Sequence, residues 1–324
     1  MSISAKIIGV GSSVPKKVIT NHMLEDIMDT TDEWIRKRTG IEERRLVTEE
    51  TATSMAIDAS KQAIEHAKVK ADDIDIIIGT TISSDYATPS IASLVQKGIG
   101  CKQAVVMDIA AGCTGFIYAL ATMVSLMDTM DLETGVIVSS ENLSGRMNWE
   151  DRSTCILFGD GAGAIVVKRS KENKIKHPIL TGIIDENDVL YIKNKRQNNP
   201  WSENQDWDDI SLSMNGNDVF AFAVDAVEKT IKKLQEMMGD EKIDKIIPHQ
   251  ANSRIIRFAA SSTDYKKDQF YVNVDKYANT SSATIPIALK EANDSGWLKK
   301  GDNVALVGFG AGLTYGGIVV KWAI

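Results

Sequence analysis

Five short runs early in the chain, residues 6–9, 74–80, 104–108, 135–139 and 164–168, are almost wholly apolar, and longer segments of helical periodicity lie between them. A strand without polar alternation has to be covered on both faces, and alternating helices provide that cover in an α/β fold with buried sheets. Between the first two runs, Met55, Ala59, Ala63, Ile64 and Ala67 recur at helical spacing within 51–68, which predicts an amphipathic helix. Downstream the alternation resumes, with a predicted helix at 218–237, strands at 245–248 and 270–274, a helix at 283–293, and final strands at 303–307 and 316–322.

The stretch KENKIKHP after Arg169 and the Asn-rich run 194–209 have no periodicity and read as surface excursions. With 324 residues the chain exceeds what one core usually serves, and a division near residue 170 gives halves 1–170 and 171–324. The two halves end alike. FGDGAGAIVV at 158–167 and FGAGLTYGGIVV at 309–320 are each a glycine-rich turn feeding an apolar strand, so two similar α/β units packed together are expected.

The 37 basic residues are outnumbered by 44 acidic ones, for a net charge of −7, the opposite of the balance that drives non-specific binding to nucleic acid. No apolar run approaches the roughly 18 residues of a membrane span, and MSISAKIIGVG leads directly into a strand instead of a cleavable leader. A cytoplasmic protein without membrane attachment is expected. The three cysteines, Cys101, Cys113 and Cys155, are too few and too scattered for a disulfide framework or a zinc site.

Cys113 stands in VVMDIAAGCTGFIYAL, where a strand ends and small residues lead into a helix. Unpaired N–H groups at a helix start favour thiolate over thiol, and the small neighbours would let a carbonyl approach the backbone closely. A buried cysteine is also simply a small hydrophobe, and local context leaves both readings open. Of the four histidines, His249 closes the strand in DKIIPHQANSRII immediately before a helix, at the carboxyl end of a strand, where open α/β sheets place their sites. Asn279, in KYANTSSATIPIAL, stands at a similar junction, where it could equally cap the helix.

GCTGF around Cys113, PHQAN around His249 and ANTSSA around Asn279 resemble the Cys-His-Asn set of the β-ketoacyl-[acyl-carrier-protein] synthase III family, condensing enzymes of the thiolase fold. TNHMLEDIMDTTDEWIRKRTGIEERR, DRSTCILFGDGAGAIVV and GFGAGLTYGGIVVKW resemble further family blocks in the family order, so the resemblance covers essentially the whole chain. It implies an acyltransferase that condenses an acyl-CoA with malonyl-carrier protein and initiates fatty acid synthesis, as a homodimer. Cys113 would be the nucleophile, the backbone N–H groups of Cys113 and Ala311 the oxyanion donors, and His249 and Asn279 the neutral donors to the enolate left by decarboxylation. No metal or redox cofactor is required.

By the same resemblance Trp34 and Arg152 would stack on the CoA adenine, with Thr30 and Arg38 nearby, and Gly216, Phe220 and Asn252 would line the pantetheine tunnel. The carrier would dock on the segment Gln250, Ala251, Asn252, Ser253, Arg254 and Arg257. Departures are Gly112 before the nucleophile, where the family often has Ala, Ala311 within a glycine triplet, and Thr88, where acetyl-preferring relatives resemble one another in carrying Phe. A Thr-sized residue at that pocket wall implies primers of four or five carbons. The alternatives are a specialised relative making a ketide or ester with the same residues, a silent carrier-binding subunit, and a dinucleotide-binding oxidoreductase suggested by Ile8-Gly9-Val10-Gly11. The last lacks a third glycine, because Val14 stands in that position.

Overall fold

The computed structural model describes residues 5–172, 174–194 and 210–324, so 195–209 of the Asn-rich run lie outside the described residues. The main elements are β1 (Ala5–Ser13), α1 (Ala52–Ala67), β2 (Ile76–Thr80), β3 (Val105–Ile109), α2 (Gly115–Thr129), β4 (Thr134–Glu141) and β5 (Gly161–Arg169). They are followed by β6 (Ile175–Gly182), α3 (Gly216–Met238), β7 (Lys245–Pro248), α4 (Ser253–Ser261), α5 (Thr284–Asp294), β8 (Asn303–Gly310) and β9 (Thr314–Lys321).

One sheet has the order β1-β5-β4-β2-β3 and the other the order β7-β8-β9-β6. Strand β2 runs parallel to β4, which is antiparallel to β5, itself antiparallel to β1. In the same sense β7 runs parallel to β8, antiparallel to β9, in turn antiparallel to β6. The likeness of the two glycine-rich endings therefore corresponds to equivalent strands, β5 and β9.

All eight residues of β4 and of β8 are buried. The period of two sends alternate side chains to opposite faces. Ile76 and Ile78 share a core with Phe116 and Leu120 of α2, Ile285 and Leu289 of α5, and Leu306 and Ile318 of the second sheet. Ile77 instead packs with Met55, Ala59 and Ala63 of α1, while Ala305 and Val307 face α3 and α4. The result is five layers, helices–sheet–helices–sheet–helices, with α2 and α5 shared between the sheets. The Thr51 side chain accepts from Ser54 N–H and the Ser54 side chain from Thr51 N–H, a reciprocal cap that fixes the start of α1.

The expected strand at 270–274 is not formed. Phe270 makes a single parallel bridge to Ile246, the Asn273 N–H is taken by Gln250 Oε1 at 3.0 Å, and Val274–Tyr277 turns helical. A side-chain amide has replaced the ladder partner. This remnant is the counterpart of β3, which pairs parallel with β2 along its whole length. The Ile8–Gly11 signal is also corrected: both glycines lie inside β1, where an added Cβ would meet the Ala63 and Ala59 carbonyls at 2.3 and 2.1 Å. They admit α1 onto the sheet and form no phosphate loop.

Gly163 plays the same part on the inner side, since a Cβ there would lie 2.7 Å from Ile287 N and 2.8 Å from the Pro286 carbonyl carbon of α5. Gly163→Ala should destabilise the protein by about 1–3 kcal/mol, read as a lower Tm. Gly182→Ala, where an added Cβ meets nothing within 4 Å, should leave it unchanged. Equal melting temperatures for the two variants would refute this account of helix–sheet packing.

Candidate active site

A cavity of about 1570 Å³ runs from exposed Arg38, Arg152 and Arg254 down to Cys113, His249 and Asn279. These three are 7%, 1% and 7% exposed, so their side chains form a nearly dry floor under a wet rim.

Cys113 sits in a single 3-10 turn, Gly112–Thr114, between β3 and α2. Gly112 has φ +51°, a left-handed conformation that glycine adopts without steric cost. On the opposing loop, a Cβ on Gly310 would lie 2.8 Å from Cys113 Cβ and 3.0 Å from its N, so only glycine permits this approach. A hydrogen bond of 2.8 Å between the Thr114 and Thr314 hydroxyls joins the two turns. Neither the Cys113 nor the Ala311 N–H donates to another group among the described residues, and both residues line the cavity.

The expected lowering of the Cys113 pKa is not found. Burial pushes the thiol up to about 12; the Ser281 hydroxyl opposes the shift, and the Glu141 carboxylate adds to it. Removing a thiolate from water costs more than the short turn before α2 returns.

His249 follows Pro248, the last residue of β7, and its N–H continues the pairing to the Val307 carbonyl at 2.8 Å. The ring packs edge-on against Phe309, with centroids 4.9 Å apart, and Nδ1 lies 2.6 Å from Thr284 Oγ1. Burial lowers its pKa to about 3, so the imidazole is neutral. Asn279 is anchored to the first half by its N–H to Leu157 O at 2.9 Å and by its carbonyl, which accepts from Gly159 N at 3.0 Å. Its Oδ1 accepts from Ser281 N at 2.8 Å, leaving Nδ2 as a donor without a protein partner among the described residues. Ala278 and Ser281 flank it at φ +54° and +50°, backbone strain of the kind held at functional sites.

Glu141, which the sequence reading passed over, lies fully buried at the end of β4. Its Oε2 accepts from Ser83 Oγ at 2.6 Å, Ile82 N at 3.0 Å and Thr81 Oγ1 at 3.3 Å, and its Oε1 from Ser282 Oγ at 2.7 Å. Burial raises its pKa against these donors. The only sequence signal is an acid closing an otherwise apolar strand, SSEN.

A model of the 3-oxoacyl-[acyl-carrier-protein] synthase III C-terminal region matches residues 235–322, and a model of 3-oxoacyl-[acyl-carrier-protein] synthase III matches 107–181. The β-ketoacyl-[acyl-carrier-protein] synthase III of Clostridium acetobutylicum is 44% identical over 98% of this chain and 99% of its own, and one from Clostridium botulinum is 46% identical over 98% of each. The chain belongs to the β-ketoacyl-[acyl-carrier-protein] synthase III family. A crystal structure of the Aquifex aeolicus 3-oxoacyl-[acyl-carrier-protein] synthase III superposes with a TM-score of 0.91 at 39% identity, covering 98% of this chain and 100% of that one. The fold is accordingly that of the thiolase-like condensing enzymes.

Of the residues assigned to CoA by resemblance, Trp34, Arg38, Arg152, Gly216, Phe220 and Asn252 line the cavity, and Thr30 does not. The Arg38 and Arg152 guanidinium carbons lie 4.4 and 5.0 Å from the Trp34 ring centroid. Arg146, not singled out beforehand, lines the same rim. Among the docking residues Gln250 is a correction: it is 1% exposed, donates to the Pro248 and Tyr271 carbonyls at 2.7 and 3.1 Å, and is thus internal scaffolding. Ser253 is buried as well, while Ala251 is half-buried and Asn252 caps α4 by accepting from Arg254 N at 2.8 Å. Arg254, Arg257 and Phe258 remain exposed, and Arg254 lies 5.2 Å from the Phe220 ring centroid. Thr88 is exposed and outside its own chain's cavity, although Tyr86 and Ala87 line it. Among the described residues no cluster of His, Cys, Asp or Glu could hold a metal ion.

Only a thiolate is alkylated. With Cys113 pushed up to about 12, its alkylation rate in the ligand-free protein should rise about tenfold per pH unit from neutrality upward, followed by peptide mass. A rate that levels off near neutral pH would overturn the burial account.

Proposed function

We propose that this cavity performs the family's condensation in two half-reactions on the Cys113 sulfur. In the first, Sγ attacks the thioester carbonyl of an acyl-CoA, the oxyanion is held by the Cys113 and Ala311 N–H groups, and the carbon–sulfur bond to CoA breaks. The thiol proton leaves with the CoA sulfur, so the step is proton-neutral and does not require a stable thiolate beforehand. In the second, malonyl-carrier protein loses carbon dioxide, the freed electron pair becomes an enolate, and its carbon attacks the acyl-cysteine. The product is a β-ketoacyl-carrier protein, and the expelled thiolate takes a proton from solvent.

One observation supports this reading above the rest: a thiol, a neutral imidazole, an amide donor and two unengaged backbone N–H groups share one buried floor. Neutral donors stabilise a developing enolate without the repulsion a carboxylate would impose. The scheme uses no metal or redox group; the CoA thioester is substrate. The division of the chain near residue 170, and a cytoplasmic setting, belong to the same proposal.

Two copies complete the picture. Strand β3 ends its sheet with Val105, Val106, Met107 and Ile109 half-buried, an edge that a second copy can cover. The Asp108 carboxylate accepts from Ile91 and Ala92 N–H at 2.7 and 3.0 Å, which hangs the segment containing Thr88 beside that edge. Thr88 would thereby reach the partner's primer pocket. The acidic carrier would dock on Arg254, Arg257 and Phe258 beside the rim.

Intact mass after exposure to a panel of acyl-CoAs reads nucleophile and primer together. Cys113→Ala should gain no acyl mass, whereas His249→Ala and Asn279→Ala should acylate yet decarboxylate malonyl-carrier protein about 100- to 1000-fold more slowly. Acylation of Cys113→Ala would disprove the nucleophile assignment. Arg257, which is exposed and outside the cavity, gives the cleaner docking test. Arg257→Glu should raise KM for malonyl-carrier protein and leave acylation by acyl-CoA unchanged, and an equal loss in both would remove docking as the explanation.

A further inference from the structure

A hydroxyl has one proton to give and two lone pairs to offer. Thr284, the first residue of α5 and 3% exposed, has its hydroxyl between two acceptors: Nδ1 of His249 at 2.6 Å and the Ser281 carbonyl at 3.0 Å. The carbonyl is already served, because the Thr284 backbone N–H also donates to it. Nδ1 has no other partner among the described residues. The proton is therefore best placed on the shorter contact.

Its placement decides what His249 can do. With the hydroxyl proton directed to Nδ1, the ring hydrogen resides on Nε2. That nitrogen has no protein partner among the described residues, is not among the sealed, unpaired polar atoms, and belongs to a ring that lines the cavity. It becomes a donor aimed at an arriving oxygen. With the proton directed to Ser281 O, Nδ1 has to carry the ring hydrogen, and Nε2 presents a bare lone pair to the same oxygen, which repels it.

We propose that Thr284 is a positioning residue that donates to His249 Nδ1 and thereby holds the imidazole as its Nε2–H tautomer. The proposal rests on the condensation chemistry above, for it assigns the donor that the enolate meets. Thr284 occupies the start of α5 just as Gly115 occupies the start of α2 after the cysteine turn. The starts of the two shared central helices, each with the turn before it, thus carry Cys113 in one half and the control of His249 in the other.

The test is two-bond ¹H–¹⁵N correlation spectroscopy on protein labelled at its four histidines, with the His249 signals assigned through His249→Gln. At neutral pH and without substrate, His249 should show a protonated Nε2 and an unprotonated Nδ1. In Thr284→Val, which keeps the shape and loses the hydroxyl, that preference should disappear. Condensation should then fall about 10- to 100-fold, by analogy with the loss of the partner that orients a metal-bound histidine, while acylation of Cys113 stays within about twofold. Thr284→Ser should restore both the spectrum and the rate. A wild-type ring protonated at Nδ1, or a Thr284→Val protein that condenses at the wild-type rate, would overturn the inference. The spectrum of the unmodified protein and the serine variant decide the matter even if the valine variant does not fold. Loss of acylation in the unmodified protein would instead overturn the condensation chemistry, and the spectrum, taken without substrate, is read independently of it.

Discussion

The buried carboxylate of Glu141 is the constraint on which the site depends. It is removed from water, and a polar group so placed has to be met by fixed hydrogen-bond partners. The donors come from two places: the 81–83 segment after β2, and Ser282 of the turn that follows Asn279. One carboxyl group therefore fixes the distance between the halves at the level of Cys113, His249 and Asn279. With the Thr114–Thr314 hydroxyl contact it clamps the Cys113 turn, the Asn279 turn and the Ala311 loop into one floor.

That floor works with groups that are neutral at rest. The thiol is held protonated and the imidazole unprotonated by the same burial, in contrast to the ion pair that a cysteine and a histidine form in a wetter site. In the proposed reaction a thiol in this state would rely on the Cys113 and Ala311 N–H groups, which have no partner among the described residues. Preorganisation of this kind costs nothing at the moment of reaction and was prepared during folding, by the left-handed Gly112 and the close approach that Gly310 allows.

The alternation of sheets and helices was legible because burial on both faces leaves strands wholly apolar, as in β4, and because α1 keeps a clear helical period. Cys113, His249 and Asn279 could be singled out because each stands where an apolar run meets small or polar residues, inside a distinctive motif. Glu141 was not, since the partners that explain it come from segments about 60 and 140 residues away, as the spacings of the Ile82 and Ser282 bonds give. The thiol pKa was misjudged because sequence displays the helix start and conceals the depth of burial. Residues 270–274 misled because an apolar, β-branched pattern says nothing about a glutamine amide that intercepts the backbone.

The missing strand at 270–274 has a consequence for assembly. Had both halves kept it, the molecule would carry two equivalent open edges, β3 on one sheet and its counterpart beyond β7 on the other. Edge pairing between unlike edges is heterologous and, unless it closes into a ring, grows without limit, whereas an edge that pairs with its own copy closes on itself around a two-fold axis. Here the counterpart has shrunk to one bridge at Phe270, and the strand it would have extended ends in a proline that has no N–H to offer. Of these two corresponding edges only β3 keeps a full-length strand, and association through it alone would be a pairing of like with like.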